Sequence, residues 1–486
     1  MWLILYKCCT QGIKKATGVI LKKLNEVLVG FFPLPAGAMR TRSLAAESIG
    51  IAGVICIFLG LGASRSLVSL GEMLVILALL LACRHVAAAL KRDPIAWMLL
   101  IWIVYILART YFALWEFPET TEEQWRIARR MARLGLVIPI AWWLGATLRG
   151  SMNALVLALV SLVLVIVFQI VEHDGDIGFL WGDARLHFMR NAQDFALYSS
   201  VAISGLIVFA PRIISFYAYC KALWVFKLIA FLVVSVTVGL AFAVADVRAQ
   251  WVALGIMAVI LFLLLTFRVV FVPGNRLKSS ILLIAFTALL LVSLSFAWSS
   301  ASERFLQEQD VLVLLLQGEY KDLRTSSIGH RVHMWRGALS EMEGRWLFGW
   351  GPGSSDVVMK IADIPPETKI RFRHFHSSYV EVLVRTGVVG SFLFFSIVFT
   401  IMAKFLRIWR QGKIPGDVAL FVGFACIALM AGNATEAFFG MHFGTFFFVC
   451  IMAFAYQFVV SEGVRPLSSL SKGRALKVSV TKSGAV

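Results

Sequence analysis

The stretch RFRHFHSSYVEVLVRTGVVGSFLFF, residues 371–395, sets two arginines and two histidines directly before an apolar run long enough to cross a bilayer. Arg371, Arg373, His374 and His376 are side chains with chemistry to offer. An imidazole with an unperturbed pKa of ~6.5 accepts a hydroxyl proton near neutrality. Guanidinium forks take phosphate oxygens two at a time. Charge at the lip of a bilayer is expensive, so this cluster points to an anionic partner at headgroup level. Counted at helical spacing from His376, the residues Tyr379, Val380, Leu383, Gly387 and Gly390 share its face. The two glycines are expected to admit a neighbouring helix closely. His374, two residues earlier, falls on a different face. Glu381 and Arg385 stand at i, i+4 in the favourable order and read as a mutual ion pair.

Other basic residues belong to the same inventory. Arg248, in ADVRAQW, and Arg331, in GHRVHMW, fall on connections that the charge pattern places outside. Arg185, His187 and Arg190, in DARLHFMRN, form a second outward cluster suited to a phosphate or an acceptor. The run RIARRMARL, residues 126–134, reads as a basic amphipathic helix on the outer surface. Of the seven cysteines, only Cys8 and Cys9 are close together, and they are adjacent rather than spaced as CxxC. Neither a disulfide framework nor a zinc site is suggested. The absence of a Walker loop and of GxGxxG argues against nucleotide hydrolysis.

The elements that must hold these residues are membrane helices. Hydrophobic residues make up 59% of the 486, in long runs separated by short polar breaks, which excludes an ordinary soluble globule. Spans are expected near 47–63, 66–89, 95–113, 134–148, 152–171, 195–210, 226–244, 251–272, 279–299, 377–403, 417–435 and 439–460. Alternate connections are rich in lysine and arginine, so the net charge of +18 is a topological signal with both termini in the cytoplasm, and no nucleic-acid partner is needed to explain it. Residues 1–46 carry Lys14, Lys15, Lys22 and Lys23 among apolar residues and read as an interfacial amphipathic segment retained in the mature chain. Residues 461–486 read as a basic cytoplasmic tail.

One connection, 300–376, is far longer than the rest, and long loops in compact proteins are usually functional or disordered. This one looks ordered: Val332, Trp335, Leu339 and Met342 recur at helical spacing, and GWGPG supplies a stop. The chain therefore divides into 1–46, spans over 47–299, an outer loop over 300–376, spans over 377–460, and the tail. The expected fold is all-α and polytopic, with about twelve transmembrane helices and one large ordered periplasmic loop between the ninth and tenth.

The run HSSYVEVLVRTGVVG, preceded by HRVHMWRGAL and FGWGPG, resembles the lid and following span of the O-antigen ligase and O-antigen polymerase superfamily. These are membrane glycosyltransferases of GT-C-like architecture that use undecaprenyl-pyrophosphate-linked sugars. The layout of spans extends the resemblance from about 45 to 460. It implies that the essential positions are Arg248, Arg331 and His376, although ADVRAQW keeps the arginine without the serine and glycine usual there. It implies an undecaprenyl-pyrophosphate-linked glycan as donor, the lipid A-core as acceptor, and an active site facing the periplasm from the bacterial inner membrane. Donor and acceptor contacts are then expected from Arg185, Arg190, Arg371, Arg373, His374 and Tyr379. No cofactor and no metal are expected. The ligase is the favoured reading. The polymerase of the same superfamily is the nearest alternative, and a flippase or transporter for lipid-linked sugars is the alternative from another class. A transporter calls for ionisable residues near span midpoints, and such residues, Glu72 and Arg385 for example, are few.

Overall fold

A computed structural model gives the architecture. It describes residues 26–33, 43–172, 191–214, 221–271 and 323–464, most of 309–320, and a few isolated positions. A bilayer leaves no backbone polar group to water, so the apolar runs close their hydrogen bonds internally as helices. In order these are α1 (Leu44–Ala63), α2 (Arg65–Leu81), α3 (Cys83–Leu90), α4 (Pro94–Glu116), α5 (Thr121–Ala132), α6 (Val137–Leu144), α7 (Leu148–Glu172), α8 (Ala192–Ile213), α9 (Lys221–Ala245) and α10 (Arg248–Phe271). After them come α11 (Ser327–Ser340), α12 (Ser355–Ile361), α13 (Pro366–Arg371), α14 (Ser378–Arg410), α15 (Gly416–Thr435) and α16 (His442–Val464). Side chains of Ser43, Ser64, Asp93, Asn191 and Ser326 cap starts by accepting first-turn N–H groups.

Among the described residues, nine helices are long and apolar enough to cross a membrane: α1, α4, α7, α8, α9, α10, α14, α15 and α16. The expected twelve differ from this in three places. The span near 66–89 is broken at Ala82 into α2 and α3, which meet at a bend of 80° and make a tenth crossing if taken together. The span near 134–148 is a 3-10 turn over Arg133–Leu136 followed by the short α6, which ends at Gly145 in the left-handed conformation. The span near 279–299 lies almost wholly outside the described residues. The centre of the bundle is α16, buried along nearly its whole length and packed on α6, α14 and α15. Residues 26–33, from the expected amphipathic segment, dock on the start of α7: Asn153 and Thr147 donate to the Phe31 and Pro33 carbonyls, and Phe32 is fully buried.

The segment before α14 is compact and helical, with its own apolar cluster of Met334, Ala338, Met342, Val358, Met359 and Phe375 joined to Val384 of α14. Of the expected stripe Val332, Trp335, Leu339 and Met342, Met342 is fully buried, but within α11 the buried side is rotated by one position onto Met334 and Ala338, and Leu339 remains exposed. The rotation brings His330 inside, where Nδ1 meets the Thr368 hydroxyl at 2.8 Å.

α14 is interrupted at Gly387, where φ is 64° and ψ is −172°. Residues 346–351, which run into the GWGPG stretch, supply the partners that the break removes. Trp350 and Gly351 N–H donate to the Val384 and Arg385 carbonyls at 2.8 and 3.0 Å. Val388 and Val389 N–H donate to the Trp346 and Leu347 carbonyls at 2.8 and 3.1 Å, and Tyr105 Oη donates to the Thr386 carbonyl at 2.5 Å. Gly387 therefore admits a loop backbone rather than the expected helix, whereas Gly390 does face Tyr105 of α4. A Cβ at Gly387 would run into the Leu347 carbonyl, in a backbone region that essentially only glycine occupies. Gly387→Ala is accordingly expected to lose at least about 2 kcal/mol of stability. Thermal unfolding of the purified protein in detergent should read this as a clear fall in Tm, with Gly416→Ala, where a Cβ meets nothing, as the control.

Candidate functional site

His376 is placed by a loop. α14 begins at Ser378, and His376 sits two residues ahead with φ at +47°, so the helical face expected from it does not exist. In the loop, Phe372, His374 and His376 alternate to one side, as i, i+2 residues of an extended chain do. The His374 and His376 rings lie 4.1 Å apart, and Phe372 meets the His376 ring edge-on at 4.9 Å. The two histidines, expected on different faces, thus come together.

What they converge on is Glu436, at the end of α15. Its Oε2 lies 3.2 Å from Nδ1 of His376, and its Oε1 lies 3.8 Å from Nδ1 of His374. The carboxylate is buried and fixed by the Ala437 N–H at 2.9 Å. Ser378 ties the two helices, since its N–H and hydroxyl both donate to the Glu436 carbonyl, and its Oγ accepts from Phe439 N–H. Burial by itself would push the Glu436 carboxyl up. The His376 hydrogen bond, the charges of both histidines and the Ala437 N–H outweigh it and leave Glu436 below the ordinary carboxylate range. His374 is held below its usual value by burial first and by His376 second, against the pull of Glu436 and Glu381. An ionised Glu436 accepts a hydrogen bond from Nδ1–H of His376, which favours the tautomer of the neutral ring with its lone pair at Nε2. The His376 side chain retains 19% of its surface, enough for a substrate to reach.

A second layer holds the loop. Glu381 and Arg385 form the ion pair read from their spacing, at 2.6 Å and buried. Glu381 Oε1 accepts from Phe375 N–H at 2.8 Å, between the two histidines, and Oε2 accepts from Ser355 Oγ at 2.5 Å. Arg385 Nε also donates to Ser355 Oγ, at 2.9 Å. The pair is a brace on the histidine loop.

The other expected residues distribute as follows. Arg248 opens α10 and is exposed. Gln250, just inside that helix, donates to the Ala428 carbonyl and accepts from Ser200, and it lies against Gly432, one turn before Glu436. The start of α10 is thereby held at the same end of the bundle as the His376–Glu436 pair. Arg331 makes hydrogen bonds back along α11 to Ser327. Arg371 and Arg373 are exposed beside the histidine loop, and Arg371 lies over Phe372. The Tyr379 hydroxyl donates to the Met430 carbonyl at 3.1 Å and so joins α14 to α15. Arg185, His187 and Arg190 lie outside the described residues. Residues 126–134 do form a basic amphipathic helix, α5, but two of its arginines turn inward: Arg130 donates to the Gly440 carbonyl at 2.8 Å, and Arg133 pairs with Glu72 at 2.9 Å, the latter just beyond α5 in the 3-10 turn.

Glu436 is the site residue that sequence reasoning missed. The available signal was a single carboxylate between the apolar runs 417–435 and 439–460, which the cost of burying charge marks for attention.

Fold and site together define a multi-span, all-helical membrane protein with a histidine–carboxylate pair at one end of its bundle. Residues 233–395 match the family model described as O-antigen ligase, and over that stretch, about a third of the chain, the resemblance to the O-antigen ligase and polymerase superfamily holds. The matched stretch contains Arg248, Arg331, His374 and His376 and stops short of Glu436. A comparison with curated proteins returned no match.

Proposed function

We propose that this chain is an O-antigen ligase-type glycosyltransferase that moves a polysaccharide from undecaprenyl pyrophosphate to a sugar hydroxyl of lipid A-core, on the periplasmic side of the bacterial inner membrane. The observation that carries this reading is the His376 Nδ1–Glu436 contact at 3.2 Å, which leaves Nε2 to accept a proton within a loop rich in arginine. The acceptor hydroxyl gives its proton to Nε2, and its oxygen bonds to the anomeric carbon from the face opposite the pyrophosphate. The bond between that carbon and the pyrophosphate oxygen breaks, and the lipid pyrophosphate leaves with the electron pair. Glu436 stabilises the imidazolium that forms, as a carboxylate behind a catalytic histidine does. Arg248 and Arg331 take the growing charge of the leaving group, with Arg371 and Arg373 as further phosphate contacts. Arg185, Arg190, His374 and Tyr379 complete the proposed substrate-binding set. The product has the inverted anomeric configuration.

Arginines meet the leaving-group charge in this scheme, so no cofactor or divalent ion is called for. Transfer by purified protein is expected to persist in excess EDTA, and strict dependence on an added cation would overturn the scheme. The test of the function itself is transfer in detergent from a lipid-linked glycan to lipid A-core, comparing wild type with His376→Ala. A flippase leaves the lipid-linked substrate chemically unchanged. In a deletion strain, loss of a ligase strands long polymer on the carrier lipid, whereas loss of a polymerase leaves single-repeat product.

A further inference from the structure

We infer that His374, His376 and Glu436 form a binding site for a transition-metal ion of the Zn²⁺ type, and that its occupation switches the transferase off. Among the described residues these three are the group whose ligating atoms converge, one from each side chain and all within 4.8 Å of one another. A tetrahedral zinc with nitrogen and oxygen ligands at about 2.0–2.2 Å holds neighbouring donors about 3.3 Å apart. Here Nδ1 of His376 lies 3.2 Å from one Glu436 oxygen and Nδ1 of His374 lies 3.8 Å from the other, and with one donor per side chain all three fall within 4.8 Å, so the rings must turn inward to close the cage. The donor set is right for such an ion, since two imidazoles and one carboxylate favour zinc and its neighbours in the transition series over magnesium or calcium, which take oxygen ligands. The carboxylate is already anchored by Ala437 N–H, and the loop by the Phe375 N–H bond to Glu381. Both rings are partly exposed, at 30% and 19% of their side-chain surface, which gives the ion a route and leaves a coordination position open.

Inhibition follows from bond accounting at the ring. When Nδ1 of His376 gives its lone pair to the metal, the one proton of the neutral imidazole resides on Nε2. Nε2 then donates and cannot accept the hydroxyl proton. Glu436, bound to the same ion, is no longer free to stabilise an imidazolium. This half of the inference rests on the proposed role of His376 as base, whereas the binding half does not.

The experiment uses the full chain purified in detergent, titrated with ZnCl₂ by calorimetry as wild type, His374→Ala and Glu436→Gln, with transfer measured in parallel. The expected result is a saturable site in the wild type whose affinity falls at least about tenfold in each variant. The same zinc concentrations should inhibit wild-type transfer, EDTA should restore it, and MgCl₂ should do neither. Zinc affinity unchanged by both substitutions overturns the site, and zinc binding that leaves transfer unaltered overturns the switch. Full activity in His376→Ala would overturn the base assignment instead, and the calorimetric comparison would still report on the metal site.

Discussion

His376→Ala is expected to lower turnover by about a thousandfold, the middle of the range a positioned general base contributes. That loss corresponds to about 4 kcal/mol of transition-state stabilisation. His376→Ala also takes a partner from the buried Glu436 carboxylate, so melting temperature should fall as well, and the role as base is read from kcat, which should collapse while substrate affinity stays close to wild type. Glu436→Gln should cost less, about a hundredfold, because an amide oxygen can still orient the ring but brings no charge to the imidazolium. A variant lacking His376 that turns over at half the wild-type rate would end the proposed mechanism. The two substitutions made together should be far from additive, since Glu436 acts through the ring that the first removes.

Arg385→Ala is expected to be the most damaging substitution to the fold near the site. It leaves the Glu381 carboxylate, only 1% exposed, without its cation, and breaking a buried pair from one side costs about 3–5 kcal/mol. Arg385 also holds Ser355, so the contact between α12 and α14 loosens with it. The measurements are thermal unfolding in detergent and the amount of protein in the membrane, both expected to fall sharply. Protein that survives should also show weakened activity, because Glu381 holds Phe375 N–H between the two histidines. Replacing both partners by Glu381→Gln with Arg385→Met should recover much of the stability, since no charge is then left uncompensated. Equal stability of the single and double variants would show that the pair carries no such cost.

The fold was largely legible where one physical rule dominates. Long apolar runs give α1, α4, α7 to α10 and α14 to α16, and i, i+4 spacing gives the Glu381–Arg385 pair. The order in the segment before α14 was also visible, because GWGPG and a helical periodicity stand out against a membrane background. What escaped depends on partners far away in the chain. Glu436 reaches His376 across 60 positions, and no local spacing registers that. His374 and His376 were assigned to different helix faces because the helix was started too early, and a loop with a positive φ at His376 inverted that geometry. Gly387 was read for its small size in helix packing, while its actual use is a backbone angle. Helical spacing grouped Leu339 with Val332 and Trp335, but α11 packs its Gly337 side on Ala362 and Ile364, and Leu339 is exposed.

The break in α14 bears on how large substrates arrive. A hinged flap that swung open over the membrane would have to part the Trp346–Gly351 backbone from residues 384–389, stripping partners from four main-chain groups on each side. Each such group left unsatisfied away from water costs about 1–3 kcal/mol, so that part of the segment is a fixed post of the bundle. Under the proposed function, lipid-borne donor and acceptor would reach the histidine loop past this fixed wall, from the flank where Arg371 and Arg373 are exposed.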